Sequence, residues 1–347
     1  MTIVKKSNEE FSSQAKDILL KGGLVAFPTE TVYGLGADAT NEKACEKIYI
    51  AKGRPSDNPL IVHIGDIDQL EQLVKDISDD ARKLIDKFWP GPLTIIFNKS
   101  EIVPKRVSGG LDTVAVRMPS NNVALKLLKD TKIPIAAPSA NISGKPSPTS
   151  AEHVLNDLDG KIDMVIDGGN VDIGIESTII DMTEKYPKIL RPGHITAKML
   201  EETLGYKVDY DDSSKDKPKA PGMKYKHYSP KGNLILLDGA FKEIVKYINM
   251  DLQTGIRENI AIITTDEYKD KLSDIFLGVS IFSYGNGEIE QASKNLYKIL
   301  RECDDEDIKV IYSVVFPKKG RGYSLMNRLE KAAASRLIKL GKIDRME

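Results

Sequence analysis

The chain has 347 residues, of which 41% are hydrophobic and 29% charged, a composition typical of globular proteins and long enough for about two domains. Its 50 Lys and Arg residues against 51 Asp and Glu residues leave a net charge of −1, which excludes a global basic field for DNA or RNA. The sequence lacks the apolar core of a signal peptide and any bilayer-length apolar run, and its two cysteines are not spaced as metal ligands. We therefore expect a cytoplasmic protein without a membrane partner.

The first predicted strand covers residues 24–27 and leads directly into PTETVYGLG, residues 28–36. Hydroxyl groups, a carboxylate and two glycines follow the strand end, a combination that suits a small-ligand site. A tight turn explains the same residues equally well. The spacing GxxxxGK[ST] is absent, so this is not a Walker phosphate loop.

A helix predicted over residues 42–51 ends in KGRPSDNPL, residues 52–60. Lys52 and Arg54 flank a glycine there, and they either face a ligand or complement the helix C-terminal dipole. The next strand, residues 60–64, carries His63 among apolar neighbours. By residue type alone, His63 is better explained as a hydrogen-bonded core histidine than as a catalyst.

Two later strand ends carry polar groups. Arg117 lies near the end of a strand at residues 113–119, and an arginine there is costly unless it meets an anion, either a carboxylate ligand or an internal salt-bridge partner. The apolar run ending at residue 137 breaks into PSANISG, residues 138–144, whose backbone N–H groups and small side chains suit a ligand. The alternative is a Ser/Pro-rich surface turn.

The composition changes after residue 206. Residues 207–219 are charged and lack an apolar period, which predicts a linker. APGMKYKHYSP follows at residues 220–230, and its aromatic and cationic groups either cover a purine and phosphates or dock on the surface. We therefore predict a first domain over residues 1–206, a linker or lid over 207–231 and a second domain over 232–347.

The second domain alternates strands with helices, which predicts a small parallel α/β domain. The strands are predicted at residues 234–238, 260–265, 279–284 and 310–316, and the helices near residues 241–250, 267–274, 288–302 and 325–340. Its first turn, Asp238-Gly239-Ala240, is not GxGxxG, so the dinucleotide interpretation is poor.

The first domain places cations and hydrogen-bond donors at strand ends or in adjoining loops: Lys52, Arg54, Arg117, Lys145 and Arg191, with Thr31, Thr113, Ser139, Asn141, Ser143, Ser147 and Ser177. No GxSxG, HExxH or Cys/His signature accompanies them. Cations and donors without a nucleophile suit phosphoryl-type chemistry assisted by Mg²⁺. The residues therefore predict an enzyme acting on a nucleoside triphosphate and a small carboxylate.

Several motifs, in order, closely resemble the YrdC-like domain of threonylcarbamoyl-AMP synthases: PTETVYGL (28–35), KGRP (52–55), PGP (90–92), VRMP (116–119), APSANISG (137–144), ST (177–178) and RPG (191–193). PGMKYKHY (221–228) and the second α/β domain resemble the long, two-domain form of this family. The resemblance covers essentially the whole chain. It implies an α/β fold with a YrdC-like twisted mixed sheet and helices, followed by a smaller parallel, Rossmann-like α/β domain.

The resemblance also implies the reaction. L-Threonine and bicarbonate (or CO2) form N-carboxythreonine, whose carboxylate attacks the α-phosphorus of ATP to give L-threonylcarbamoyladenylate and diphosphate. This nucleotidyltransferase activity would use Mg²⁺ with ATP, without a protein metal site. A downstream threonylcarbamoyl transferase complex would modify an adenosine beside the tRNA anticodon, so tRNA contact by this chain is expected to be indirect or weak.

Site residues carry over from the family motifs position by position. The resemblance implies a catalytic set of Lys52, Arg54, Ser139 and Asn141. It implies L-threonine contacts by Thr31, His63, Arg117, Ala137 and Ser177, which changes the interpretation of His63 to a substrate neighbour. It implies ATP contacts by Arg54, Asn58, Thr113, Ser139, Ser147, Arg191 and Tyr228, and residues 221–230 would fold over the nucleotide as a lid.

Three other interpretations stay open from the sequence. A nucleic-acid-binding module is disfavoured by the balanced charge. A carbamoyl-adenylating enzyme of hydrogenase maturation shares the YrdC-like domain, but its acylphosphatase and zinc-finger segments have no counterpart in this sequence. The second domain could be a separate interaction module.

Overall fold

The computed structural model describes residues 1–211, 227–253 and 259–341. The chain folds into two compact units, Met1–Ser143 with Ser147–Tyr225 and Gly144–Pro146 with Lys226–Glu347. Lys145 therefore belongs to the second unit, although the sequence grouped it with the cations of the first. Most of the predicted lid, residues 221–226, lies outside the described residues.

The first unit alternates short strands with helices. Its described strands are β1 (Ile3–Lys6), β2 (Val25–Phe27), β3 (Gly34–Asp38), β4 (Ile61–His63), β5 (Leu93–Asn98), β6 (Thr113–Arg117), β7 (Ile135–Ala136), β8 (Met164–Asp167), β9 (Thr178–Asp181), β10 (Lys188–Arg191) and β11 (Asp209–Tyr210). Its described helices are α1 (Ser12–Leu20), α2 (Glu42–Lys52), α3 (Ile67–Leu73), α4 (Asp79–Phe88), α5 (Lys105–Ser108), α6 (Asn122–Thr131), α7 (Ala151–Leu158) and α8 (Ala197–Leu204).

The strands of the first unit form one mixed sheet in the order β1-β8-β2-β3-β7-β4-β6-β5-β9-β10-β11. Strand β4 pairs parallel with β6, whereas β5 pairs antiparallel with β6 and parallel with β9. This arrangement confirms the predicted mixed sheet with helices.

The central strands are buried on both faces, and their side chains alternate between two environments. Val62 of β4 and Val114 and Val116 of β6 belong to the large core cluster. Ile61 and Ala115, one residue out of phase, belong to a separate small buried cluster. Ile61 and Ala115 therefore lie on a face of the sheet that is distinct from the large core cluster.

The second unit contains five described strands and four described helices. The strands are β12 (Asn233–Asp238), β13 (Ile260–Thr264), β14 (Ser280–Ser283), β15 (Val310–Val314) and β16 (Leu337–Lys339), and the helices are α9 (Phe241–Gln253), α10 (Asp266–Ile275), α11 (Ile289–Asp305) and α12 (Gly322–Ala332). The strand order is β14-β13-β15-β12-β16, and every pair is parallel. The predicted parallel α/β domain is confirmed. None of the helices in the described part of the chain combines the length and apolar character needed to cross a membrane.

The predicted helix over residues 325–340 is wrong in its second half. Helix α12 ends at Ala332, and residues 337–339 form the edge strand β16 beside β12. Ala334 and Ser335 adopt positive φ angles of 49° and 64°, which end the helix and reverse the chain. Neither residue is the glycine or asparagine that usually occupies this conformation, so the sequence carries no stop signal.

We expect Gly193→Ala to lower the free energy of unfolding by about 2 kcal/mol because it overpacks a backbone crossing. A methyl group at this position would lie 2.3 Å from Thr178 N and 2.6 Å from Ser177 C, so the chain has to move. Urea denaturation followed by circular dichroism measures the effect. In the control Gly205→Ala, nothing lies within 4 Å of the new methyl group, and the positive φ of 82° is expected to cost about 1 kcal/mol. A Gly193→Ala midpoint equal to that of the unsubstituted protein would contradict the tight crossing.

Candidate functional site

The predicted site residues surround one face of the central sheet of the first unit. Ile61 lies opposite Ala115, and His63 lies opposite Arg117, in the parallel register of β4 and β6. Side chains two residues apart on a strand share a face, so these four point to the same side. The apolar floor of this face is the small cluster of Ile61, Ile96, Ala115, Ile179 and Leu190. Polar groups border this floor.

Arg117 is the most constrained cation at this border, with only 3% of its surface exposed. Its Nη1 donates to Thr31 Oγ1 over 2.9 Å, and its Nε donates to Gly91 O over 3.2 Å. Its Nη2 lies 2.7 Å from Glu30 Oε1. The internal salt bridge left open by the sequence is therefore present, and a threonine carboxylate at Arg117 stays a prediction.

Glu30 is the site residue that sequence reasoning missed. It is 5% exposed, and neither carboxylate oxygen is aligned as a hydrogen-bond acceptor with any described residue, despite the short distance to Arg117. A buried carboxylate with open acceptor positions can receive the ammonium or hydroxyl group of a ligand. The motif residues 28–35 contained this signal, because a carboxylate between two threonines follows a buried strand.

His63 lies next to Arg117 across the register as a buried histidine, and its contact with threonine stays a prediction. It is 4% exposed and packs edge-on against Phe27, with 5.8 Å between the ring centroids. Burial, with the nearby Arg117 charge, lowers the pKa of His63 to about 3, so the ring is neutral at physiological pH. Its Nδ1 finds no hydrogen-bond partner among the described residues. A neutral ring beside a cation can contact a substrate without adding charge.

A second cluster forms where α2 ends. Lys52 is the last residue of this helix, and Gly53 caps the helix with a φ of 59°. The Lys52 side chain turns away from solvent, with 2% exposure, and Nζ donates to Ser139 O over 2.5 Å and also to the backbone oxygen of Asn141. The cation therefore holds the loop of residues 139–141 in place.

Ser139 and Asn141 complete this cluster. Ser139 Oγ donates to Asn141 Oδ1 over 2.6 Å, and Asn141 Nδ2 donates to Ile142 O over 2.8 Å. The structure thus brings together Lys52, Ser139 and Asn141, three of the four predicted catalytic residues. The fourth, Arg54, is half-buried in the following loop, where Nη2 donates to Pro59 O over 3.4 Å.

Two predicted ATP contacts lie near the beginnings of β4 and β6. Asn58 is 1% exposed, and its Oδ1 finds no hydrogen-bond partner among the described residues. Thr113 is half-buried at the first position of β6, opposite Asn98. Arg117 is four residues further along the same strand face, which corresponds to about 13 Å at the usual rise of a strand. The predicted threonine and ATP contacts on β6 therefore lie at opposite ends of one strand.

A third group combines residues predicted for both ligands. Arg191 Nε and Nη2 donate to the backbone oxygen and the hydroxyl group of Ser177, each over 3.1 Å. Ser147 Oγ donates to Glu176 Oε1 over 2.6 Å. The backbone of Ala137 is held beside β4, because its N–H donates to Ile61 O over 2.8 Å.

The loop of residues 28–33 links these groups. Ala140 N donates to Tyr33 O over 2.8 Å, and Tyr33 N donates to Pro148 O over 2.9 Å. On its other side, Gly174 N donates to Thr31 O over 3.1 Å. The loop with Glu30 and Thr31 is therefore tied by backbone hydrogen bonds to the segments that carry Ser139, Ser147 and Ser177.

Tyr228, the predicted ATP contact from the linker, belongs to the second unit. It is 6% exposed and stacks on Tyr297 with 5.4 Å between ring centroids. The Arg328 guanidinium lies 5.6 Å from its ring centroid. Its contact with ATP stays a prediction.

We expect Glu30→Gln to lower the free energy of unfolding by about 3 kcal/mol, because it leaves the Arg117 charge buried without its anion. The matched control is Glu46→Gln, which removes the exposed partner of Arg106 and should cost less than about 0.5 kcal/mol. Chemical denaturation of both variants measures the difference. Equal midpoints for the two variants would show that Glu30 does not stabilise Arg117.

Two family models match the chain, and they meet near residue 194, before the boundary between the two compact units. A family model described as "Telomere recombination" (Sua5/YciO/YrdC) matches residues 17–193. A second model, described as "Threonylcarbamoyl-AMP synthase, C-terminal domain", matches residues 195–334.

Curated relatives cover nearly the whole chain. A threonylcarbamoyl-AMP synthase from Pyrococcus abyssi is 46% identical, over 97% of this chain and 98% of the relative. One from Bacillus subtilis is 45% identical, over 96% of each. The solved structure of P. abyssi Sua5 complexed with L-threonine superposes with a TM-score of 0.89 at 44% identity, covering 98% of this chain and 99% of that one. The chain belongs to the threonylcarbamoyl-AMP synthase family.

Proposed function

We propose that this chain is a threonylcarbamoyl-AMP synthase, a nucleotidyltransferase that makes L-threonylcarbamoyladenylate and diphosphate from L-threonine, bicarbonate or CO2, and ATP. Identity of 46% to a synthase over 97% of the chain supports the overall activity. The observation that carries the proposal is the polar border of the sheet face, with Arg117 at one end of β6 and Thr113 at the other. A product with an amino-acid carboxylate at one end and an adenylate at the other fits this arrangement.

In this proposal, threonine binds at the end of β6 where Arg117 lies. The ligand carries one carboxylate and one ammonium group, and the site offers a guanidinium and a carboxylate 2.7 Å apart. Arg117 can bind the ligand carboxylate with a planar fork, while Glu30 accepts from the ammonium group. Thr31, His63, Ala137 and Ser177 are the remaining threonine contacts in this proposal.

The ATP end combines cations with neutral donors. Arg54 and Arg191 are cations for the phosphates, and Lys52 positions the loop of Ser139 and Asn141. The remaining ATP contacts in this proposal are Asn58, Thr113, Ser147 and Tyr228. Positioned cations and donors lower the barrier of phosphoryl transfer by neutralising charge that develops on the phosphate oxygens.

The chemistry needs two bond-forming steps. The threonine ammonium group first loses a proton to give the free amine. The amine nitrogen then adds to CO2 and releases an N–H proton, or condenses with bicarbonate and releases water, to give the carbamate. A carbamate oxygen then attacks the α-phosphorus, and the bond from this phosphorus to the bridging oxygen breaks to release diphosphate.

Mg²⁺ is proposed as a companion of ATP. Within residues 1–211, 227–253 and 259–341, no group of three or more His, Cys, Asp or Glu side chains could hold a metal ion. In this proposal Mg²⁺ would bind through the phosphate oxygens of ATP, where it would neutralise phosphate charge.

The adenylate product requires a second enzyme that uses it as a substrate. We propose that a threonylcarbamoyl transferase complex takes the adenylate and modifies an adenosine beside the tRNA anticodon. The net charge of −1 supports indirect or weak contact between tRNA and this chain. A cytoplasmic location is part of the same proposal.

We expect diphosphate release from ATP only when L-threonine and bicarbonate are both present, with L-serine a poor substitute because it lacks the methyl group. A coupled diphosphate assay with each substrate omitted in turn measures this dependence. Release without threonine would point to another ATP-using reaction. A folded protein that releases no diphosphate in any mixture would contradict the synthase activity.

We expect Arg117→Lys to raise the KM for threonine about tenfold or more, since a point charge replaces a bidentate fork, while the KM for ATP stays within about twofold. Steady-state diphosphate release with each substrate varied measures both constants. Arg106→Lys is the matched control, because Arg106 forms an exposed ion pair and is not a proposed ligand residue. An equal rise in both KM values would show that Arg117 has been given the wrong ligand.

A further inference from the structure

The second unit contains a cleft of about 970 Å³ at the carboxyl edge of its parallel sheet. This volume is at the upper end of the range for small-molecule sites. Four strands supply its wall, since Leu237 of β12, Thr264 of β13, Ser313 of β15 and Leu337 of β16 all line it. The proposed synthase activity uses none of these residues.

The topology of the sheet explains why a cleft opens there. Helices α9 and α10 contribute to one core cluster with the strands, through residues such as Ile248 and Leu272. Helices α11 and α12 are absent from that cluster and pack against each other. After β12 and after β13, the chain therefore passes to one face of the sheet. After β15, which lies between these two strands, it passes to the other face. Ligands of open α/β sheets bind at such points of divergence.

The cleft has both polar and apolar lining residues and an aromatic pair near the ends of β12 and β13. Its lining includes Ile244, Ile262 and Met326. Phe241 and Tyr268, both half-buried, stack with 4.7 Å between their ring centroids and 17° between their planes. A flat heteroaromatic ring can pack on such a pair.

The charges of the cleft disfavour phosphate. The described lining carries three carboxylates, Asp238, Glu267 and Glu330, two lysines, Lys318 and Lys339, and no arginine. Lys318 is already paired with Glu330 over 2.6 Å. A phosphate group would therefore meet a net negative lining, whereas hydroxyl and amino groups would find acceptors.

The helix beginnings beside the cleft are also supplied with carboxylates of this chain. Glu243 Oε2 accepts from Ala240 N over 2.8 Å before α9. Asp266 and Glu267 occupy the first turn of α10. Acids of this chain therefore occupy the beginnings of α9 and α10, where parallel α/β domains usually bind phosphate. Helix α12 has no acid in its first turn, but the cations before it are already in ion pairs, Lys318 with Glu330 and Arg321 with Glu290.

We propose that this cleft binds an unphosphorylated nucleoside. The base packs on Phe241 and Tyr268, above the apolar lining. The carboxylates of Asp238 and Glu267 accept hydrogen bonds from ribose hydroxyl or exocyclic amino groups. Its lining shares no residue with the proposed ATP contacts.

Titration calorimetry of the full chain with adenosine, guanosine, cytidine and uridine tests the proposal, in the presence of a saturating non-hydrolysable ATP analogue that occupies the first unit. We expect at least one nucleoside to bind at one site per chain with a Kd below about 1 mM. Its 5′-monophosphate should bind at least about tenfold more weakly, because of the carboxylates.

Two substitutions test the contacts. Asp238→Asn and Phe241→Ala should each weaken nucleoside binding about tenfold, the loss of one charge-assisted hydrogen bond or one stacking contact. Asp270→Asn and Lys246→Ala, on exposed positions of α10 and α9 outside the lining, should leave the affinity within about twofold.

Three results would overturn the proposal. They are no binding of any nucleoside up to about 5 mM, tighter binding of the monophosphate, and competition between the nucleoside and the ATP analogue. The comparison of nucleoside with monophosphate needs no variant, so it stands even where a substitution affects folding. Loss of diphosphate release would leave these binding results unchanged, so the cleft and the synthase activity fail separately.

Discussion

The first unit depends on the solvation of one buried charge, the guanidinium of Arg117. Arg117 is only 3% exposed, so water cannot solvate its charge and protein oxygens have to replace the water. Glu30, Thr31 and the backbone oxygen of Gly91 supply them. These residues come from the loop after β2 and from the turn before β5, so one charge requires three segments to meet. The proposed threonine site uses the same charge, so in that proposal a structural requirement and a binding site coincide.

The loop after β2, residues 28–33, connects the Arg117 contacts to the other segments of the site. Its backbone hydrogen bonds to residues 140 and 148 fix the segment that contains Ser139 and Ser147. Lys52 holds the same segment from the other side through the carbonyl groups of Ser139 and Asn141. A buried lysine that binds carbonyl oxygens makes a loop rigid without forming secondary structure. The Arg117 end of the sheet face and the cluster around Lys52 are therefore positioned by one connected network.

The two units display opposite electrostatic character at the ends of their strands. The first unit borders its sheet face with arginine and lysine, which suits carboxylates and phosphates. The second unit lines its cleft with more carboxylates than lysines and supplies acids to the beginnings of α9 and α10. The shared principle is that polar groups of an α/β fold collect where strands end, and the side chains there decide which ligand charge is accepted.

The sequence by itself determined the class of each unit and the strand ends that carry the chemistry. Local signals determine these features, because apolar runs, breaker residues and helix caps each act over a few residues. The caps of α8, Thr196 and Gly205, are an example that can be recognised from the sequence. Tertiary structure alone decided that Glu30 is the partner of Arg117 and that His63 shares its sheet face, because strand register brings together residues that are distant in sequence. It also decided that residues 337–339 form β16, since pairing with β12 outweighs a helical pattern that no glycine or proline interrupts.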